Sequence, residues 1–273
     1  MWSIIILAIV QGLTEFFPVS SSGHLSLLEK YFEFNKSEAL SIGLVLHLGT
    51  VFSVLVFYQN IFFLFLKNIS KYKNFILYIV IACIPTGIIG ILLKNTVKNM
   101  IFNLSLISVF FFITAAVLLI SHWICKNNTT DKNNNFSLKN NPDLLMSSLN
   151  CLTVKKAFFI GCAQGLSVFP GLSRSGLTIA SGRLLGLPPV VAGFFSFALM
   201  IPVVLGAFLL EAKSINFSAS YVSISAIKIS IGFLLSFFTG LVVLKLLQYI
   251  LIQDKFYYFS YYLFLLIACI YFI

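Results

Sequence analysis

Gln164-Gly165-Leu166-Ser167-Val168-Phe169-Pro170-Gly171-Leu172-Ser173-Arg174-Ser175-Gly176-Leu177-Thr178 is a glycine- and hydroxyl-rich stretch with one arginine, set between two strongly apolar runs. Arg174 is one of two arginines in the chain, the other being Arg183. An arginine at membrane depth costs roughly 2.5–3.5 kcal/mol even on insertion scales, so it calls for a buried anionic partner. Backbone this rich in Gly, Pro and Ser cannot face lipid, because its amides and carbonyls would go unpaired. It belongs inside protein or along a wet cavity. Exposed amides, hydroxyls and a guanidinium fork together suit a phosphate group.

The surrounding chain is membrane material. Of its 273 residues, 59% are hydrophobic and 10% charged, and the mean hydropathy is +1.01; soluble domains carry about 25% charged residues. The net charge of +10 is read as topology-setting lysines in short loops, near anionic lipid, and not as a nucleic-acid footprint. The five cysteines are scattered without a CxxC pair, so neither a disulfide framework nor a zinc site is expected. Met1 to Phe17 lacks a basic leader and a cleavage site, and is expected to remain on the mature protein.

The same pattern occurs earlier. Ser3 to Phe17 is too short to span, Pro18 breaks it, and Ser20-Ser21-Ser22-Gly23-His24 leads into a second short run, Leu25 to Phe32. Two half-length helices around a polar break predict a re-entrant hairpin. Apolar runs at Ile42–Leu66, Phe75–Leu93 and Ile101–Ile124 are each long enough to span, with Pro85 expected to kink the second. Residues 125–155 are read as a polar linker, centred on the low-complexity tract Asn127 to Asn135. The pattern then restarts: Ala157–Phe169, the break at Pro170, Thr178–Leu187, and spans at Val190–Leu210, Ile224–Ile250 and Phe256–Ile273.

The two breaks share text. Gln11-Gly12-Leu13-Thr14 parallels Gln164-Gly165-Leu166-Ser167, and Ser20-Ser21-Ser22-Gly23 parallels Ser173-Arg174-Ser175-Gly176 at the same separation. The expected fold is therefore an all-α polytopic membrane protein. It has six transmembrane helices and two re-entrant hairpins, with residues 1–124 and 156–273 as two repeats. A hairpin returns to its own side and three spans then cross, so the repeats are inverted. Lys67, Lys71, Lys73, Lys126, Lys132, Lys139, Lys155 and Lys156 fall on one side, against Lys30, Lys36, Lys94, Lys98 and Lys213 on the other. That bias puts the linker in the cytoplasm. The hairpin tips then meet near the midplane, where inverted repeats place their sites, and Glu15, His24 and Arg174 are expected in one pocket.

Glu15, an intramembrane carboxylate, is a candidate metal ligand or acid/base. Gln11 lies one turn earlier on the same face, as a second oxygen ligand or as the residue that orients Glu15. Ser20, Ser21 and Ser22 place hydroxyls beside His24, a nucleophile–base pairing, although a serine after proline also caps a helix. Ser173, Arg174, Ser175 and Thr178 form an anion cradle at a helix N-terminus. His47 reads as a structural hydrogen bonder and Arg183 as an interfacial charge.

Pro170-Gly171-Leu172-Ser173-Arg174-Ser175-Gly176-Leu177-Thr178 matches the pattern PGxSRSxxT. Gln11-Gly12-Leu13-Thr14-Glu15 matches (E/Q)xxxE, and Phe17 to His24 continues it as FPVSSSGH. On these motifs the chain resembles the undecaprenyl-diphosphate phosphatases, often called the bacitracin-resistance protein family. The resemblance implies hydrolysis of undecaprenyl diphosphate to undecaprenyl phosphate and phosphate in the bacterial inner membrane, recycling the carrier for peptidoglycan synthesis. It implies bacitracin resistance, a pocket open to the periplasm and dependence on a divalent cation, Mg²⁺ or Ca²⁺, held by Glu15 and Gln11. Carried over by motif position, Glu15, His24, Arg174 and a serine of the triplet, Ser21 first, are the catalytic set; Ser20, Ser22, Ser173, Ser175 and Thr178 are read as binding substrate. A serine or His24 attacks, or His24 activates water; the sequence leaves these open. Where many members have Glu, this chain has Gln11, one negative charge fewer beside the metal. A homodimer is allowed, and a carrier moving a polyprenyl phosphate or another anion through the same cradle is the alternative function.

Overall fold

The computed structural model describes residues 1–126, 142–214 and 226–272. Among these residues all regular structure is helical. In chain order the helices are α1 (Trp2–Phe16), α2 (Ser21–Tyr31), α3 (Lys36–Phe57), α4 (Gln59–Lys67), α5 (Ile69–Met100), α6 (Leu104–Cys125), α7 (Pro142–Ser148), α8 (Val154–Leu166), α9 (Arg174–Leu184), α10 (Pro189–Ser214), α11 (Ala226–Ile252) and α12 (Tyr258–Phe272), with a 3₁₀ turn at Leu149–Cys151.

Five of these contain stretches long and apolar enough to cross a bilayer: Glu38–Phe57, Ile69–Val97, Leu104–Cys125, Pro189–Leu210 and Ala226–Ile252. The expected sixth, Phe256–Ile273, is α12, whose 15 described residues reach about 22 Å at 1.5 Å per residue, against about 30 Å of hydrocarbon. Counting the pair Leu144–Cys151 and Val154–Leu166, bent by 92°, as one broken span would raise the number to six. The expected span Ile42–Leu66 is divided at Tyr58 (φ −101°, ψ 19°) into α3 and α4. In α5, Pro85 lies inside the helix, and the residue with non-helical angles is Tyr72.

Much of the surface is apolar, as lipid-facing helices require: Trp123 is 80% exposed and Phe272 91%. The Asn-rich tract of the expected linker lies outside the described residues. From Pro142 onward the same segment is folded: α7 and the 3₁₀ turn bury Leu145, Met146, Leu149 and Leu152, and α7 packs on α4. Those four apolar residues repeat at helical spacing, a signal that the neighbouring asparagines obscure.

The helices approach closely because small residues sit at their crossings. α11 packs on α1 and α3, and α5 on α8. A Cβ on Gly12 would fall 2.6 Å from Thr239 Cβ, and one on Gly161 2.6 Å from Ala82 Cα. Without a hydrophobic force between helices in lipid, such contact is the main source of association. It also brings Thr86 Oγ1 of α5 to 2.9 Å from the Gly161 carbonyl of α8.

Gly161→Val is therefore expected to lower the thermal unfolding midpoint in detergent by the equivalent of about 1–3 kcal/mol. Gly87→Ala, where nothing lies within 4 Å, is expected to leave it unchanged. Equal midpoints for the two variants would refute the packing argument.

Candidate active site

Each polar break ends in a helix capped by a serine. α1 stops because Phe17 is extended (φ −63°, ψ 143°), the conformation favoured before proline. Ser20 then caps α2, its Oγ accepting from Gly23 N at 3.3 Å. Ser173 caps α9, its Oγ accepting from Gly176 N at 3.0 Å. α2 and α9 are both 11 residues long, and they begin at the separation that divides Gln11 from Gln164.

The tips interlock. Gly171 N donates to Ser20 Oγ at 3.1 Å, and Ser175 Oγ donates to the Phe17 carbonyl at 3.1 Å. Thr114 of α6 ties down the second tip, its Oγ1 donating to the Gly171 carbonyl at 2.9 Å and accepting from Ser173 N at 3.1 Å. Gly171 (φ +100°) lies against the Ile107 carbonyl and Phe110, a left-handed position crowded enough that only glycine fits. Ser20 is also left-handed, with φ 67°. It is held there by bonds to its hydroxyl and by His24, whose backbone and ring both reach its carbonyl.

At the meeting point Glu15 is a hub. Its side chain is 1% exposed and pairs with Arg174 through Oε1. Its Oε2 accepts from Ser21 Oγ at 2.6 Å and from Gln11 Nε2 at 3.0 Å, and His47 Nδ1 lies 3.2 Å away. A carboxylate only accepts, so the Gln11 amide must present nitrogen to it. Gln11 Oε1 is left buried with no partner among the described residues.

A cavity of about 220 Å³ opens on this hub, lined by Glu15, Ser20, Ser21, Ser22, His47, Ser173 and Arg174 among others. His24, Ser175 and Thr178 do not line it. Expected beside Glu15, His24 instead turns away: Nδ1 donates to the Ser20 carbonyl at 2.8 Å, leaving Nε2 to accept from Tyr262 hydroxyl at 2.8 Å. The ring packs edge-on against Phe111. Thr178 Oγ1 is taken up by the Arg174 carbonyl at 2.7 Å and Ser196 Oγ at 2.6 Å. Arg183, expected at an interface, is buried and paired with Asp254 at 2.6 Å.

The model of the family described as bacitracin resistance protein BacA matches residues 4–269. The chain belongs to the BacA family. Among similar BacA-family proteins is the undecaprenyl-diphosphatase of Thermosipho melanesiensis, 41% identical over 248 residues, which cover 89% of this chain and 88% of the relative. That of Thermosipho africanus is 36% identical over 98% of both chains. That of Carboxydothermus hydrogenoformans is 34% identical over 96% of this chain and 93% of the relative.

His47 is the site residue that the motifs did not bring forward in this BacA-family chain. It sits within α3, far in sequence from both breaks, and as a lone histidine in a span it resembles any structural hydrogen bonder. Its polar, intramembrane position was the available signal. Thr114 was missed for the same reason.

Thr114→Val leaves the Gly171 carbonyl and Ser173 N–H buried without their partner. It is expected to cost about 1–3 kcal/mol, read as a lowered unfolding midpoint in detergent, with Thr114→Ser recovering most of the loss. A Val variant as stable as the parent would show that Thr114 does not hold the tip.

Proposed function

We propose that this chain hydrolyses undecaprenyl diphosphate to undecaprenyl phosphate and inorganic phosphate at the Glu15–Arg174 hub. Membership of the BacA family supports the reaction. The observation that carries the site is a single cavity holding a guanidinium, a carboxylate and a serine hydroxyl bonded to that carboxylate. Arg174, with the hydroxyls of Ser20, Ser22 and Ser173 around the cavity, holds the phosphates; a planar fork suits phosphate oxygens as it suits a carboxylate.

Ser21 is the nucleophile in this reading, because Glu15 is the base within hydrogen-bond reach of it. Ser21 Oγ forms a bond to the terminal phosphorus while the bridging P–O bond breaks and undecaprenyl phosphate leaves. The hydroxyl proton passes to Glu15. Water then cleaves the Oγ–P ester, releases phosphate and restores the serine. His24 supports the strained Ser20 turn and so places Ser21. Ser175 and Thr178 join and stiffen the cradle from behind.

The residues fit a divalent cation only in part. Glu15 and the unpartnered Gln11 Oε1 are the atoms that would hold Mg²⁺ or Ca²⁺. No group of three or more His, Cys, Asp or Glu among the described residues could complete a protein cage, so a bound ion would take its remaining ligands from water and the substrate, as is common for Mg²⁺. When bound, the ion would neutralise phosphoryl charge.

The equal helices and equal serine caps at the two breaks support a pair of re-entrant hairpins related as inverted repeats. The lysine bias supports a cytoplasmic linker, with the cavity open to the periplasmic side of the bacterial inner membrane. A chain of this kind recycles the peptidoglycan carrier lipid and confers bacitracin resistance. A carrier would need the cradle but no serine–carboxylate pair.

Arg174→Ala is expected to reduce phosphate release from undecaprenyl diphosphate in detergent micelles by at least about 100-fold, measured below its unfolding midpoint, which falls because Glu15 loses its partner. Arg174→Lys, which keeps charge but not the fork, should fall between. Near-normal turnover by the Ala variant would overturn the cradle assignment, and a wild-type protein that releases no phosphate would leave the carrier reading standing.

A further inference from the structure

His47 differs from His24 in one respect that bears on the substrate. Both ring nitrogens of His24 are spent on protein partners. In His47 only one is, among the described residues. Nδ1 lies 2.8 Å from Gln11 Nε2, and the orientation of that amide is already fixed because its nitrogen must face Glu15. An amide nitrogen only donates, and its two protons serve Glu15 Oε2 and His47 Nδ1. Nδ1 is therefore an acceptor, and the proton of the neutral ring is on Nε2. The two ring nitrogens of an imidazole point away from each other, so this N–H is directed away from the Gln11–Glu15 pair.

The surroundings match a donor waiting for an acceptor. Nε2 has no partner among the described residues, and the His47 side chain keeps 28% of its exposure although Glu15 beside it keeps 1%. His47 lines the cavity that holds Arg174 and Ser21, and it also lines an adjoining cavity of about 200 Å³. Ser22, Leu44 and Val168 are shared by both as well. His47 thus stands where the two spaces join, with Arg174, Ser21 and Ser173 lining the one and the Glu29 carboxylate lining the other.

We propose that His47 binds the diphosphate of the substrate, donating a hydrogen bond from Nε2–H to a phosphate oxygen, and that Gln11 acts through it as a positioning residue that fixes the tautomer. The proposal rests on the phosphatase reading of the site. It gives the Gln11 amide a task that a carboxylate in its place could not perform: a carboxylate would accept from Nδ1–H and leave Nε2 without its proton.

Two measurements test this. In detergent micelles, His47→Leu is expected to raise KM for undecaprenyl diphosphate, and the inhibition constant of inorganic diphosphate, by about 10-fold or more. The unfolding midpoint should fall modestly, because one buried Gln11 N–H loses its acceptor. His47→Gln, whose amide can donate from a similar place, should recover a large part of both. Should the Leu variant fail to fold, ¹⁵N NMR of the wild-type histidines remains decisive: it should report His47 as the Nε2–H tautomer, with Nε2 shifting when inorganic diphosphate is added. Unchanged constants in a folded Leu variant, an Nδ1–H tautomer, or an Nε2 signal indifferent to diphosphate would each overturn the proposal. Wild-type protein that releases no phosphate at all would instead sink the phosphatase reading on which it stands.

Discussion

The pairing of Arg174 with Glu15 is the interaction on which the rest depends. Arg174 keeps 17% of its side-chain exposure and Glu15 1%, and removing one would leave the remaining ion largely buried and uncompensated. The two residues come from opposite halves of the chain, so the pair forms only when both polar breaks reach the same place. α1 must stop at Phe16 and α9 must begin at Arg174 for the carboxylate and the guanidinium to meet. A charge pair that would be a modest surface contact in water becomes, when buried between helices, a constraint on how the two halves dock.

The hydroxyls around it serve two ends. Ser20 and Ser173 satisfy amides at the starts of α2 and α9, and Ser175 and Gly171 bind the tips to one another. These bonds satisfy irregular backbone that is buried among the helices. Ser20 and Ser173 also line the cavity, beside Ser21 and Ser22. The same residue type thus builds the loop and equips it, which is why motif text alone does not separate structural from chemical serines.

His24 and His47 show the same division in reverse. His24 lies inside a motif and beside three serines, yet its ring is closed off by Ser20, Tyr262 and Phe111. His47 lies outside every motif, yet it reaches Glu15 and Gln11 and faces the cavity. Tyr262 and Thr114, remote in sequence from both breaks, decide the posture of the motif residues. A hydrogen bond requires a partner at the right distance, and adjacency along the chain does not specify which partner arrives.

The sequence by itself determined the membrane class, the polar breaks, the need of Arg174 for an acid and the family. Each of these follows from composition, from the cost of burying charge, or from runs of residues that are local in the chain. Tertiary structure alone decided which acid oxygen meets which donor, which histidine faces the phosphate cavity, that Arg183 is buried against Asp254, and that residues 142–152 fold back onto α4. Those outcomes depend on how helices distant in sequence pack at their small residues, and side-chain geometry across such contacts is not encoded in any local pattern.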